Sequence, residues 1–488
     1  MKKVGIVCIG SKSNMSNKSN CAAMKKNRLL LFGLGVLSIC FSACSKDDGL
    51  VYPPDVADAI PDGEFRVLCL QIADTDRDGA ISKEEALAVR KIDCTPAVSY
   101  MRTIESLEGL HYFANLEELH CKDQRLTALD VSGNPRLRLI GCAFNPLTTL
   151  DVSRCAELDM LVCSDCELES LRLPRTAALT ALDCSGNRLA ELDVTGYPAL
   201  SGLYCDGNRL TTLDLRSNPE LTVLRCSDID GLDVSGNPKL EQLTCSGGTI
   251  GRLDLSRNAA LHRLSVYDAR MTSIALADAS AVEQLLLQKT ECERLDLNRC
   301  PQLRVLRISE VPLRELTLPE RAYADIVLVK VPIERLAVKC LSDGKRRTSL
   351  RLDGCERLLH LEVAADELAF HCENCPNLST LKLDGCRLLS QFKCLGTALS
   401  SLDLSGAGDT GLSIICRDNR LTSLTLPSAF YLLRCSGNLL EELDISNCWI
   451  GMGGVECLPM ETLRRIRLRR DQFWRLKNTE GVELVYVD

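Results

Sequence analysis

Aromatic residues are scarce: two Trp, nine Tyr and nine Phe make up 4% of the 488 residues. A single globular centre draws much of its buried area from such rings. Here the interior has to come from Leu, Val, Ile and Cys. A basic surplus is also missing. The formal charge is −8, which leaves no broad basic face for phosphates and excludes nucleic acid as the expected partner. The extended apolar run at 29–41 is too short for a comfortable membrane span. No GxSxG, HExxH or Gly-rich Lys loop occurs. The histidines His111, His120, His262, His360 and His371 are scattered along the chain. No enzyme is expected.

What the chain has is one phrase repeated. Residues 179–199 read LTALDCSGNRLAELDVTGYPA and residues 200–220 read LSGLYCDGNRLTTLDLRSNPE. Full copies start at Leu116, Leu137, Leu158, Leu179, Leu200, Leu221, Leu240, Leu261, Val282 and Leu303. Spacing is irregular over 323–396 and regular again from Leu399. Each copy holds two half-phrases, LxxLxCxxN and LxxLDVSxN. Both alternate apolar and polar, so both predict short strands with one buried face. Each ends in a turn where Asn, or Cys in its place, meets backbone groups. One copy cannot bury its apolar side alone and must stack on its neighbours. The LxxLxCxxNxL half is the leucine-rich-repeat phrase with Cys at one apolar position. The expected fold is therefore an α/β solenoid, mostly β, a right-handed leucine-rich-repeat superhelix of ~21-residue repeats. The LxC strands form a parallel sheet on one side and the LDV segments short extended pieces on the other. A small helical EF-hand stands at the N-terminus.

Cysteine is abundant, at 27 residues, but its spacing argues against a disulfide scaffold or metal cluster. Cys121, Cys142, Cys163, Cys184, Cys205 and Cys226 recur every 21 residues, and Cys245 follows a shortened repeat. They hold one inward position of the repeat, where a thiol packs as a small hydrophobe. In-register strands set such side chains about 4.8 Å apart, wider than the ~3.8 Å between Cβ atoms that a disulfide prefers. Reduced core thiols are expected. A second ladder, Asn134, Cys155, Asn218, Asn237, Asn258, Cys300, Cys355, Cys386 and Cys448, occupies the other turn. Cys372 and Cys375 beside His371 look like half a zinc site, but Cys375 is a turn-ladder position and no second close pair is evident.

At the N-terminus, residues 24–43 carry Lys25, Lys26 and Arg28 before the apolar run, as an export signal does. Met24 reads as the start and 1–23 as an upstream over-call. Phe41, Ser42, Ala43 and Cys44 resemble a bacterial lipobox, which implies cleavage before Cys44 and its acylation. An ordinary cleaved signal peptide is the alternative. Ser45, Lys46, Asp47 and Asp48 resemble the acidic export tag of Bacteroidota surface lipoproteins. Residues 44–60 form a tether. DTDRDGAISKEE at 74–85 then matches the EF-hand loop. Asp74, Asp76 and Asp78 offer carboxylates, Gly79 the sharp turn, Ala80 its carbonyl, Ser82 a hydroxyl and Glu85 a bidentate carboxylate, the oxygen shell Ca²⁺ prefers. Ile81 would pack inward. Helices are expected over 64–73, with Phe65, Leu68 and Ile72 on one face, and over 83–91. A lone site of this kind reads as a staple rather than a sensor, and outside a cell a Kd on the order of 10⁻⁴–10⁻³ M suffices to fill it.

Two outward ladders remain. On the LDV side stand Asp130, Asp151, Asp193, Asp214, Asp233, Asp254 and Asp296, interrupted by Arg172. Like charges about 5 Å apart repel by about 0.8 kcal/mol in a water-like dielectric. Bonding to turn hydroxyls and backbone offsets that more simply than a stripe of cations. On the LxC side the outward residues vary, as a binding face would: His120, Asp183, Tyr204, Arg225 and Arg307, with Tyr267 close by. These six are the candidate binding face. The strand with Arg464, Arg465, Arg467, Arg469 and Arg470 is expected to be a solvated basic edge.

The repeats and loop together resemble bacterial leucine-rich-repeat proteins, internalin-like in the broad sense, and most of all Bacteroidota lipoproteins joining an EF-hand to LxxLxCSxNxLxxLDVSxN repeats. The resemblance covers roughly 24–488 and is weakest over 323–396. Internalin repeats are one residue longer. The resulting division is 61–92 EF-hand, 93–115 N-terminal cap, 116–462 repeats and 463–488 C-terminal cap. The resemblance implies a non-catalytic, lipid-anchored, surface-exposed outer-membrane scaffold with structural Ca²⁺ and a protein partner on the repeat face. The alternative is a carbohydrate-binding accessory of a glycan-uptake system.

Overall fold

The computed structural model describes residues 50–94, 103–175, 178–278, 280–320, 325–340, 347–386, 388–407 and 411–487. Coils of backbone stack so that their LxC segments join one 19-stranded sheet with parallel pairing throughout. Its first strand is Lys91–Asp93, which pairs with Glu118–His120. Its last is Leu476–Lys477, which pairs with Trp449–Glu456. The strand therefore starts where the second helix of the acidic loop ends, and the sheet runs on into 463–488. The irregular spacing over 323–396 includes a bulge at Leu368 and Ala369, where Glu367–Glu373 pairs with Leu388–Leu395. Strands Asp325–Val329, Thr348–Asp353, Glu367–Glu373 and Leu388–Leu395 keep the sheet continuous.

On the opposite side the LDV segments make short separate parallel pairings. Thr149–Asp151 joins Ser170–Arg172, and Gly251–Leu255 joins Met271–Leu276. Strand Arg335–Cys340 joins His360–Ala365 and then Thr380–Asp384. At the C-terminal end Arg465–Leu468 pairs with both Glu442–Asp444 and Glu483–Tyr486. This corrects the expected basic edge: the Arg-rich strand is interior to its sheet, and Arg467 lies 3.8 Å from Glu442 and 3.7 Å from Asp444.

Between the two sides lies a narrow core. Leu119, Ile140, Leu161, Leu182 and Leu203 are fully buried, as are Cys121, Cys142, Cys163, Cys184 and Cys205. Every described cysteine is free and buried. Burial pushes the Cys163, Cys205 and Cys226 thiols far above their ordinary range and Cys245 up to about 12, because a thiolate has no counter-charge in a dry interior.

The turn Asn residues tie coil to coil. Asn187 Nδ2 donates to the carbonyl of Cys184 on its own coil at 2.9 Å and of Cys163 on the preceding one at 2.8 Å. On the far side Asn218 Nδ2 donates to the carbonyls of Val194 and Tyr197, both on the preceding coil. These amides satisfy buried carbonyls that no strand can reach. On the main-sheet side, one step before the Asn or the Cys in its place, turns pass through a left-handed residue, Asp165 at φ 51° before Cys166 and Gly186 at φ 67° before Asn187 in successive coils. A Cβ on Gly186 would fall 2.5 Å from the Asp165 carboxylate, so a larger residue there has to displace that side chain, and glycine adopts the left-handed turn without strain.

Candidate functional site

The acidic loop joins helix α1 (Gly63–Ala73) to α2 (Lys83–Ala88). Asp62 caps α1, its Oδ1 accepting from Glu64 N–H at 3.0 Å and Phe65 N–H at 2.9 Å. The buried stripe of α1 is Phe65, Cys69 and Ala73, one residue per turn on one face. Ile72 is 38% exposed, which corrects the face expected from Phe65, Leu68 and Ile72. Helix α2 ends at Ala88 because Val89 turns to extended backbone. Ser82 and Glu85 form a reciprocal capping box at its start.

Ligand oxygens of Asp74, Asp76 and Asp78 lie within 4.8 Å of one another. Each of these carboxylates folds the loop by accepting a backbone N–H: Gly79 to Asp74 at 3.1 Å, Asp78 to Asp76 at 3.1 Å and Ala80 to Asp78 at 2.8 Å. Gly79 stands at φ 88° and Arg77 at φ 64°, the tight path such a loop needs. Asp74 Oδ1 is buried without a partner, and an orphaned carboxylate oxygen in a nest of others calls for a cation. Glu85 is not in that convergent group. Its Oε2 accepts from Ser82 N–H and hydroxyl at 3.0 and 2.9 Å, and its Oε1 from Thr75 N–H and hydroxyl at 2.7 and 2.8 Å. The Ser82 and Thr75 bonds hold its carboxyl down at about 2.

Two further acids, whose roles the sequence reading missed, fasten the loop. Val56 N–H donates to the Ile81 carbonyl at 2.9 Å, and Asp55 Oδ1 accepts from Ile81 N–H at 2.8 Å. The fully buried Ile81 thereby gains a bonding partner from 44–60 on each of its backbone groups. Asp62 Oδ2 accepts from Glu105 and Ser106 N–H at 2.8 and 3.1 Å, so the capping residue also links the helices to the first coils. The second pair of Asp62 bonds crosses more than forty residues and left no local signal.

On the main sheet an outward row is continuous from Asp93 to Lys477, one residue per strand. It passes His120, Asp183, Tyr204, Arg225 and Arg307, then Arg351, His371, Lys393 and Arg434. Tyr267 is in the neighbouring row, opposite Ser246 and Gln288. The six candidate residues thus lie along a ribbon and do not converge on one point. Tyr204 is a correction: it is only 8% exposed, set in register between Asp183 and Arg225. Asp183 Oδ1 accepts from the Ser185 hydroxyl at 2.6 Å. Arg225 reaches Asp206 at 3.2 Å and Arg307 reaches Asp325 at 2.9 Å. His120 lies 3.6 Å from Glu118, and His371 contacts Glu373, which Lys393 also reaches at 3.0 Å.

The LDV ladder takes the simpler of its two readings. Asp130, Asp151, Asp193, Asp233 and Asp254 each accept the backbone N–H two residues on, at 2.9–3.0 Å. Arg216 ties Asp214 with two side-chain bonds and its own N–H, holding that carboxyl at about 2. An open cleft of about 640 Å³ lies elsewhere, lined by Val311, Pro312, Lys330, Val331, Pro332 and Arg357. It marks where Val-Pro replaces the Asn turn in consecutive coils. Cys44 and the export segment lie outside the described residues.

No protein-family model matches the chain, and no curated protein matches it. Among solved structures it is similar to the functional domain of InlJ from Listeria monocytogenes, described as including a cysteine ladder. That likeness has 23% identity and a TM-score of 0.46, and covers 85% of this chain and 75% of that one. YopM from Yersinia enterocolitica is similar at 20% identity and a TM-score of 0.46, over 87% of this chain and 95% of that one. A leucine-rich-repeat protein of Leptospira interrogans is similar at 15% identity and a TM-score of 0.46, over 75% of this chain and 97% of that one.

Proposed function

We propose that this chain is a non-catalytic binding scaffold that takes a protein partner along the outward face of its main sheet. The observation that carries this reading is the unbroken outward row from Asp93 to Lys477. Its inward neighbours repeat Leu and Cys, whereas the row itself changes charge and size at almost every coil. A continuous, gently charged ribbon gives many weak contacts and selects a partner by pattern. Repeat architecture alone does not choose a ligand. The test is a photo-reactive residue placed at Arg351 or Thr244, both on the row, and another at Asp254 on the opposite side. Cross-linking of one defined protein from the first two positions and not the third supports the reading. The same product from all three, or from Asp254 alone, refutes it.

The same proposal places the protein outside the cell, exported and held to the outer membrane by an acylated Cys44. This part rests on the sequence of 24–48. A lipid chain would anchor it without a span. Ca²⁺ would be held by Asp74, Asp76 and Asp78, the Ala80 carbonyl and Glu85, with Ser82 contributing through water. For Glu85 to join, its bonds to Thr75 must yield. Bound metal would stiffen the junction between tether and first coil, since Asp55 and Val56 tie the loop to the tether and Asp62 ties its first helix to the first coils.

A further inference from the structure

The only two Trp of the chain both fall in its last coils, and both are open to solvent: Trp449 is 52% and Trp474 66% exposed. Tyr431 and Phe473 add two further rings at 43% and 52%. A protein so poor in aromatics has concentrated exposed ones at one end, and a contiguous exposed apolar patch marks a binding surface.

Their arrangement follows from the register. Ala429 pairs with Trp449, and Tyr431 occupies a bulge between Phe430 and Leu432. A Cβ on Gly451 would sit 2.9 Å from Tyr431 Cδ2, and one on Gly453 would sit 3.0 Å from its Cε1. Glycine at both places lets the ring lie against the next strand while staying open on its outer side. Val455 pairs with Leu476, and a Cβ on Gly454 would meet the Arg475 carbonyl at 2.5 Å. Trp474 lies in the turn Arg470–Arg475 that leads into the strand Leu476–Lys477. Tyr431 and Trp474 come from coils two apart, roughly 10 Å at the usual strand spacing. The Arg475 guanidinium lies 3.4 Å from the Trp474 ring centroid, and that of Arg470 5.5 Å from the Tyr486 centroid. Neither forms an ion pair with a described carboxylate.

Open rings with guanidiniums that stack on neighbouring rings but pair with no described carboxylate, Arg475 on one face of Trp474 and Arg470 over Tyr486, fit a polymer that offers apolar C–H faces and carboxylates at regular intervals. An acidic peptide offers the charge without the flat faces. A neutral glycan leaves the guanidiniums unused. We propose that this end binds an acidic polysaccharide, whose uronic-acid rings stack on Tyr431 and Trp474 and whose carboxylates pair with Arg470 and Arg475. The site adjoins the C-terminal end of the repeat-face row, on the strands of Arg434, Glu456 and Lys477, but its argument does not rest on that reading.

Affinity electrophoresis and calorimetry of the purified protein test it, with polygalacturonate and alginate as probes and dextran and poly-glutamate as comparators. The two uronates should bind and the comparators should not. Trp474→Ala and Tyr431→Ala should each weaken uronate binding about tenfold with an unchanged melting temperature. Arg475→Gln should weaken it and flatten its salt dependence. Failure of both uronates to bind overturns the proposal. So does equal binding of dextran or poly-glutamate, or unchanged affinity in both ring variants.

Discussion

Asn187 and Cys163 belong to different coils, yet the Asn187 side-chain amide donates to the Cys163 carbonyl at 2.8 Å. Its Oδ1 accepts from Leu168 N–H at 3.0 Å. One amide thus closes donors and acceptors on two coils where the strands have already ended. Asn187→Ala removes all of these partners and leaves buried backbone groups unmet. It should cost about 3 kcal/mol, read as a lower urea midpoint. A loss within about 0.5 kcal/mol, the size of an ordinary surface change, would mean the amide is not holding the coils together.

Acid should loosen the side that carries the Asp ladder. The Thr195 hydroxyl and then its N–H hold Asp193 below the ordinary carboxylate range, and Arg216 does the same to Asp214, down to about 2. Unfolded Asp titrates near 3.9. A folded value below the unfolded one gives stabilisation that is complete above about pH 5 and is lost as pH falls towards 2. The urea midpoint should therefore be flat from pH 5 to 7, by about these values, and fall steadily below. A midpoint rising on acidification would contradict the ladder's bonding.

Calcium should release heat on binding to the wild-type protein and none on binding to Asp74→Ala. Asp74 Oδ1 is the orphaned oxygen of the loop, so Asp74→Asn should already weaken binding by about tenfold or more. Equal heats from wild type and Asp74→Ala would remove the metal from the account. Asp55→Ala leaves every candidate ligand in place but frees Ile81 N–H. It should weaken Ca²⁺ several-fold through loss of preorganisation, with the melting of the distant coils unchanged.

Much of this was legible in the chain because a fixed period carries its own geometry. Cys163 and Cys184 recur at the spacing of one coil, and the structure buries both. The Asp193 position precedes a turn hydroxyl by two residues, and the bond forms there. What was not legible depends on neighbours distant in sequence. Tyr204 is 8% exposed in a row set between Asp183 and Arg225, each a full coil away. Arg467 lies in an interior strand because Val485 pairs beyond it, in a stretch that lacks the repeat phrase. Ile72 faces water because the coils meet α1 through Phe65, Cys69 and Ala73. The exposed rings went unnoticed because they belong to bulges and a short 3-10 turn, which leave the period.

The interior thiols give the most direct measurement. The protein is exposed to a maleimide in its native state and again after unfolding without reductant, and each cysteine is assayed by mass spectrometry. Cys142, Cys163 and Cys184 are fully buried, and should stay unmodified in the folded protein and react completely once it unfolds. Rapid labelling in the native state, or resistance after unfolding that only a reductant relieves, would show that the coils do not enclose a shared dry core of free thiols.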